Sequence, residues 1–92
     1  MKQDKIKILK ALGDETRFAI VCELLNRHEM SCADVTENFN LSQPTMSHHL
    51  TKLVAAGIVN ARKDKIWSRY SLNRKVLENV GIDPMTFLRN ES

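Results

Sequence analysis

Apolar residues along the chain recur first at helical spacing and only later in alternation. Ile6, Leu9 and Leu12 fall three residues apart, with Ile8 and Ala11 alongside, and predict a helix from about Lys2 to Leu12. Gly13 stops it, and Asp14 caps a second helix whose stripe is Phe18, Val21, Leu24 and Leu25. That helix ends near Asn26-Arg27-His28, because polar and cationic residues suit a helix C-terminus. Ser31 begins a third, short helix, with Asp34 placed for a capping box and Asn40 able to end it in a left-handed conformation. Ser42 caps a fourth helix with Pro44 in its first turn, where a missing N–H costs nothing, and Gly57 closes it.

The period then changes. From Ile58 to Leu72 the chain reads as a two-stranded hairpin, with Ile66, Ser68, Tyr70 and Leu72 on one face and Lys63-Asp64-Lys65 at the tip. Asn73 caps a helix through Val80, Gly81 stops it, and Asp83-Pro84 opens a last short helix to about Arg89. The fold class expected is mainly α with a small β-hairpin. A short helix, a tight turn at Asn40-Leu41, a longer helix and a basic hairpin make a winged helix-turn-helix of five to six helices with a two-stranded wing.

Ninety-two residues suit a single domain, 1–92. Its helix-turn-helix spans 31–57 and its wing 58–72, while 1–13 and 73–92 are left for dimerisation. The stretch from Phe39 to Thr51 lacks Asp, Glu, Lys and Arg but is polar, so no segment reads as membrane-spanning. No leader pattern opens the chain, and two cysteines make no disulfide framework, so a reduced, cytoplasmic protein is expected.

Charge sharpens this picture once it is divided by region. Residues 42–75 hold seven basic residues against Asp64 alone, a balance of +6, while the remainder holds seven basic and ten acidic. Such a concentrated basic segment suits a polyanion, here double-stranded DNA. Placing helix-four residues at about 100° each puts Met46, Leu50, Leu53 and Val54 on a core face. Pro44, Thr45, His48, Thr51 and Lys52 lie opposite, with Gln43 and Ser47 toward the edges. Gln pairs bidentately with adenine, Ser and Thr reach base edges or phosphate, and Lys reaches phosphate. A generic solvated face would carry Glu among its long charged residues, but none occurs between Glu37 and Asp64.

These residues resemble a known family. Leu12-Gly13-Asp14-Glu15-Thr16-Arg17, Leu41-Ser42-Gln43-Pro44-Thr45-Met46-Ser47-His48-His49-Leu50, Leu53-Val54-Ala55-Ala56-Gly57-Ile58-Val59 and Tyr70-Ser71-Leu72-Asn73 resemble the ArsR/SmtB family of bacterial winged-helix repressors. The resemblance covers residues 6 to 75. It implies a homodimer joined by its first and last helices, an inverted-repeat operator and release by some signal. It places Gln43, Thr45, Ser47 and His48 at DNA from the reading helix, and Arg62, Lys63 and Lys65 from the wing; Ser42, Pro44 and Lys52 are expected at DNA beside them from their places on helix four. Two departures stand out. The family's wing usually turns on a glycine, but here the turn falls to Asp64. The C-terminal region is also short and interrupted by Gly81 and Pro84, although Val76, Leu77, Val80, Ile82, Met85, Phe87 and Leu88 are numerous enough to meet helix one across a two-fold axis.

The signal is harder to read. The family's Cys-x-Cys metal site has one counterpart here, Cys32, and no histidine follows His49 for a site on the last helix. No metal and no cofactor is therefore expected, although a loop site from His28, Cys32 and Asp34 is an alternative. Cys22 and Cys32 allow a thiol-based redox or sulfur response, with Cys32 at a helix N-terminus where a thiolate is favoured. A winged-helix module that binds protein rather than DNA is a further alternative. No glycine-rich phosphate loop or paired carboxylates appear, so no enzyme is expected. The effector has no signature in the sequence.

Overall fold

The structure, a computed structural model, describes residues 2–83. Five helices and three short strands follow one another as α1 (Lys2–Leu12), α2 (Glu15–Asn26), β1 (Met30–Ser31), α3 (Cys32–Phe39), α4 (Gln43–Ala55), β2 (Val59–Asp64), β3 (Trp67–Leu72) and α5 (Arg74–Asn79). The expected sixth helix, with Met85, Phe87 and Leu88, lies outside the described residues.

The helix boundaries follow from local chemistry. The Asp14 carboxylate accepts the Arg17 backbone N–H at 3.0 Å and so satisfies one orphan donor at the start of α2. Ser31 and Asp34 form a reciprocal box: Ser31 Oγ accepts from Asp34 N–H and Asp34 Oδ2 accepts from Ser31 N–H, both at 3.1 Å. Asn40 ends α3 at φ 52°, a left-handed conformation in which asparagine is tolerated. Ser42 Oγ caps α4 through the Thr45 N–H at 3.3 Å. Asn73 stands at the N-cap of α5 without a side-chain cap bond, contrary to expectation; its backbone N–H instead donates to Ile58 O at 2.7 Å.

The sheet is antiparallel in the order β1-β3-β2. It has three strands rather than the two expected, because Met30 and Ser31 pair with Tyr70 and Arg69. A two-residue strand offers no alternation, so nothing in the pattern announced it. The hairpin runs in register from Val59 opposite Leu72 to Asp64 opposite Trp67. Its turn is therefore Lys65-Ile66, one step beyond the expected tip. Lys65, not Asp64, takes the positive φ of 59°.

One core holds the fold together. Ile8 and Ala11 of α1, Ile20, Val21 and Leu24 of α2, Met30, Val35 and Leu77 are buried there with Met46, Leu50 and Leu53 of α4 and Ile58 and Val59 of the hairpin. Two helical stripes are turned relative to expectation. On α1 the residues at three-residue spacing, Ile6 and Leu9, face outward, while Ile8 and Ala11 pack inward. On α2, Ile20 is fully buried and Phe18 is exposed. Val54, expected on the core face of α4, is 36% exposed. Leu77 of α5 is buried in the same core, and Val76, Val80 and Ile82 pack against it. Leu77 thus covers its own protomer's core, while Val76, Val80 and Ile82 are half-buried.

Candidate nucleic-acid interface

The site is built around α4. Met46, Leu50 and Leu53 are buried at spacings of four and three, and this anchors one side of the helix. The opposite side is left in solvent: Ser42, Gln43, Pro44, Thr45, Ser47, His48, Thr51 and Lys52 are all exposed. No acid stands in the first turn to occupy the positive end of the helix. Ser42 serves two purposes there. Its Oγ caps the helix and donates to Thr45 Oγ1 at 2.9 Å, which holds both hydroxyls at the tip.

His49, beside this face, is held from behind. Its Nδ1 lies 3.4 Å from Arg17 Nη1 and 3.8 Å from Asp14 Oδ2, and the ring is half-buried. Arg17 Nε also donates to Ala11 O at 2.7 Å, so one guanidinium ties the end of α1 to α4. Asp14 is held below the usual carboxylate range, chiefly by the Arg17 backbone hydrogen bond and further by the nearby Arg17 and His49 charges. His48 and His49 stand edge-on with centroids 6.0 Å apart, and only His48 looks outward.

The hairpin stands along one edge of α4. Gln43 and Ser47 share a groove of about 310 Å³ with Cys32, Ile66, Ser68 and Tyr70. The alternation of Ile66, Ser68 and Tyr70 was legible in the sequence; that this row faces the reading helix was not. Ile66 sits in the turn and is 82% exposed, beside the exposed Lys63 and Lys65. Arg62 is differently placed. Its guanidinium grips Glu29, with Nη2 at 2.9 Å from Oε1 and 3.0 Å from Oε2. Glu29 lies outside the basic segment, and its role had no signal in the sequence.

Cys32 opens α3, with Sγ 3.9 Å from both Thr36 Oγ1 and Ser47 Oγ. Cys22 lies within α2, and the two sulfurs are not joined. His28, Cys32 and Asp34 do not gather into a metal site. Among the described residues no cluster of three His, Cys, Asp or Glu is placed to hold an ion, and Asp34 is already committed to its capping box. No helix among the described residues is long and apolar enough to cross a membrane.

Comparison with known proteins agrees with this geometry. The chain is 41% identical over 73 residues to the arsenical resistance operon repressor of Staphylococcus aureus, covering 79% of this chain and 69% of that protein. It is 38% identical over 72 residues to the transcriptional repressor SdpR of Bacillus subtilis (strain 168), covering 78% and 79%. Among solved structures, reduced HlyU from Vibrio cholerae N16961 superposes with a TM-score of 0.77 at 30% identity, over 98% of this chain and 93% of that one. Residues 14–61 match the model of the bacterial regulatory protein arsR family. The matched span runs from the Asp14 cap through the whole of α4 into β2, and the chain belongs to the ArsR family of winged helix-turn-helix, DNA-binding transcriptional regulators.

Proposed function

We propose that the chain is a homodimeric repressor that reads an inverted-repeat operator with α4 and grips the flanking backbone with its hairpin. The observation that carries this reading is the exposed, acid-free face of α4 from Ser42 to Lys52, set between a buried anchor row and a basic hairpin. Gln43 and His48 supply base-edge hydrogen bonds. Thr45 and Ser47 supply base or phosphate contacts, and Pro44 fits the first turn against the groove floor. Lys52, Lys63 and Lys65 neutralise phosphates, and Arg62 joins them when its pairing with Glu29 opens. Two such heads on a two-fold axis would enter successive major grooves about 34 Å apart. Repression follows from occupancy, which denies the promoter to RNA polymerase. No resident metal or cofactor enters this mechanism.

The test is fluorescence anisotropy of the reduced protein on a duplex from its own upstream region and on a scrambled duplex, over a salt series. Selective binding with a steep salt slope is expected. Gln43→Ala should lose on the order of 1–3 kcal/mol on the selected duplex and little on the scrambled one. Equal losses on both would remove Gln43 from base reading. Equal, salt-insensitive binding of the unaltered protein to both duplexes would refute the repressor in favour of a protein-binding module. The contact of Cys32 with Ser47 favours one elaboration, a thiol response transmitted to α4. It predicts that mild oxidation weakens binding and that Cys32→Ser is immune.

A further inference from the structure

The hairpin flanks only one side of the reading helix. On the other side Lys7 and Lys10 of α1, Arg17 of α2 and Lys52 of α4 line a groove of about 280 Å³, with Ala11 and Ala55 completing its wall. Four cations from three elements converge there. Three of them, Lys7, Lys10 and Arg17, come from outside the basic 42–75 segment. The three lysines are exposed, and among the described residues no carboxylate pairs with any of them. Asp14, which lies against Arg17 and His49, is engaged at its cap. Arg17 is fixed, with Nε on Ala11 O. Like charges so placed repel one another, and nothing in the packing of Ile8 or Ala11 requires lysines at the neighbouring positions.

The groove's position shows what this charge is for. At about 100° per residue, Thr45, His48 and Lys52 fall within roughly 60° of one another on one edge of the reading face. Gln43 and Ser47 fall on the other edge, toward the hairpin. A helix seated in a major groove has a phosphate strand on either side. The hairpin is placed for one strand, and the basic groove, continuous with the reading face through Lys52, is placed for the other.

We infer that Lys7, Lys10, Arg17 and Lys52 form a second phosphate clamp, which grips the DNA backbone on the side of α4 away from the wing. The inference rests on the DNA-reading function proposed above and assigns to α1 a direct part in it. The clamp is sequence-blind: it adds affinity and salt dependence while leaving base preference to α4.

The test is the salt dependence of binding for the full chain and for Lys7→Gln/Lys10→Gln, on the selected and the scrambled duplex. Glutamine keeps helix propensity, and circular dichroism and sedimentation control for folding and assembly. The slope of log K against log salt should shrink by about 0.9 for each phosphate left without its cation, and affinity should fall about tenfold on both duplexes alike. Lys52→Gln should behave in the same way with α1 untouched. Unchanged slopes and affinities in a folded variant, while the unaltered protein binds selectively, would overturn the clamp and leave the repressor intact. A loss confined to the selected duplex would also overturn it, since that is base reading. Failure of the unaltered protein to bind with a steep salt slope would remove both readings together.

Discussion

At the scale of single residues, capping chemistry and charge pairing set what each side chain can do. Asp34 shows the first. Its carboxylate is held below its ordinary value of 3.8, chiefly by the Ser31 backbone N–H and then by the Ser31 hydroxyl. A carboxylate depressed in the folded state stabilises the fold above its unfolded pKa, and that contribution is lost as the pH falls through the folded value. Asp34→Ala removes the acceptor of the Ser31 N–H and should therefore cost on the order of 1 kcal/mol near neutral pH, the net worth of one hydrogen bond. The gap to the unaltered chain should close as the pH falls below 3.8, and urea melts at several pH values would show it. Glu29 shows the second. Its exposed pairing with Arg62 adds little stability but, on the proposed reading, occupies a guanidinium that would otherwise meet a phosphate. Glu29→Gln should leave the melting temperature almost unchanged. It should also raise affinity for any duplex and steepen the salt slope by about 0.9, the worth of one more neutralised phosphate; an unchanged slope in the anisotropy series would mean that Arg62 faces no phosphate. The capping box was legible because Ser31 and Asp34 sit at fixed spacing. The Glu29 pairing was not, because its partner lies thirty-three residues away and is brought near only when β1 joins the sheet.

At the scale of elements, boundaries were readable where a cap or breaker marks them, and faces were not where two apolar rows compete. Helix α1 carries both Ile6/Leu9 and Ile8/Ala11, and only packing against α2 and α4 decides which row goes inside. The hairpin tip fell one step from its expected place for a related reason. Without a glycine, the turn is set by the register of β2 against β3, and Lys65 must adopt φ 59°. A non-glycine residue in that region is strained by about 1–2 kcal/mol. Lys65→Gly relieves the strain, partly offset by the greater freedom of glycine in the unfolded chain, about 0.5–1 kcal/mol. A modest rise in stability is expected, together with weaker DNA binding. Lys65→Gln keeps the backbone strain and loses the charge, so it should weaken DNA binding to the same degree with no gain in stability. If both variants melt alike, Lys65 is not strained; if both bind DNA as before, the wing tip does not reach a phosphate.

At the scale of the whole molecule, the proposed dimer needs an apolar face, and the outer side of α1 offers one. Ile6 is 51% and Leu9 54% exposed, one turn apart on the outer face of α1. The same helix turns Ile8 and Ala11 inward and carries Lys7 and Lys10 between these two faces, so its three sides have three different neighbours. A pair of α1 helices meeting through Ile6 and Leu9 would set the two α4 helices at a fixed separation, and that separation gives an inverted repeat its meaning. Leu9→Glu places a charge in this contact, where an unpaired carboxylate is costly to bury. The fold should survive, because Leu9 lies outside the buried core. Sedimentation equilibrium should show a monomer for this variant and, on the proposed reading, a dimer for the unaltered chain. A monomer loses the millimolar effective concentration that linkage gives its second head. Affinity for the full inverted repeat should then drop by about 10²-fold or more, toward that for an isolated half-site, while half-site affinity stays nearly constant. A variant that remains dimeric would move the interface off Ile6 and Leu9, and equal losses on half-site and full site would mean that the substitution disturbs the reading head itself.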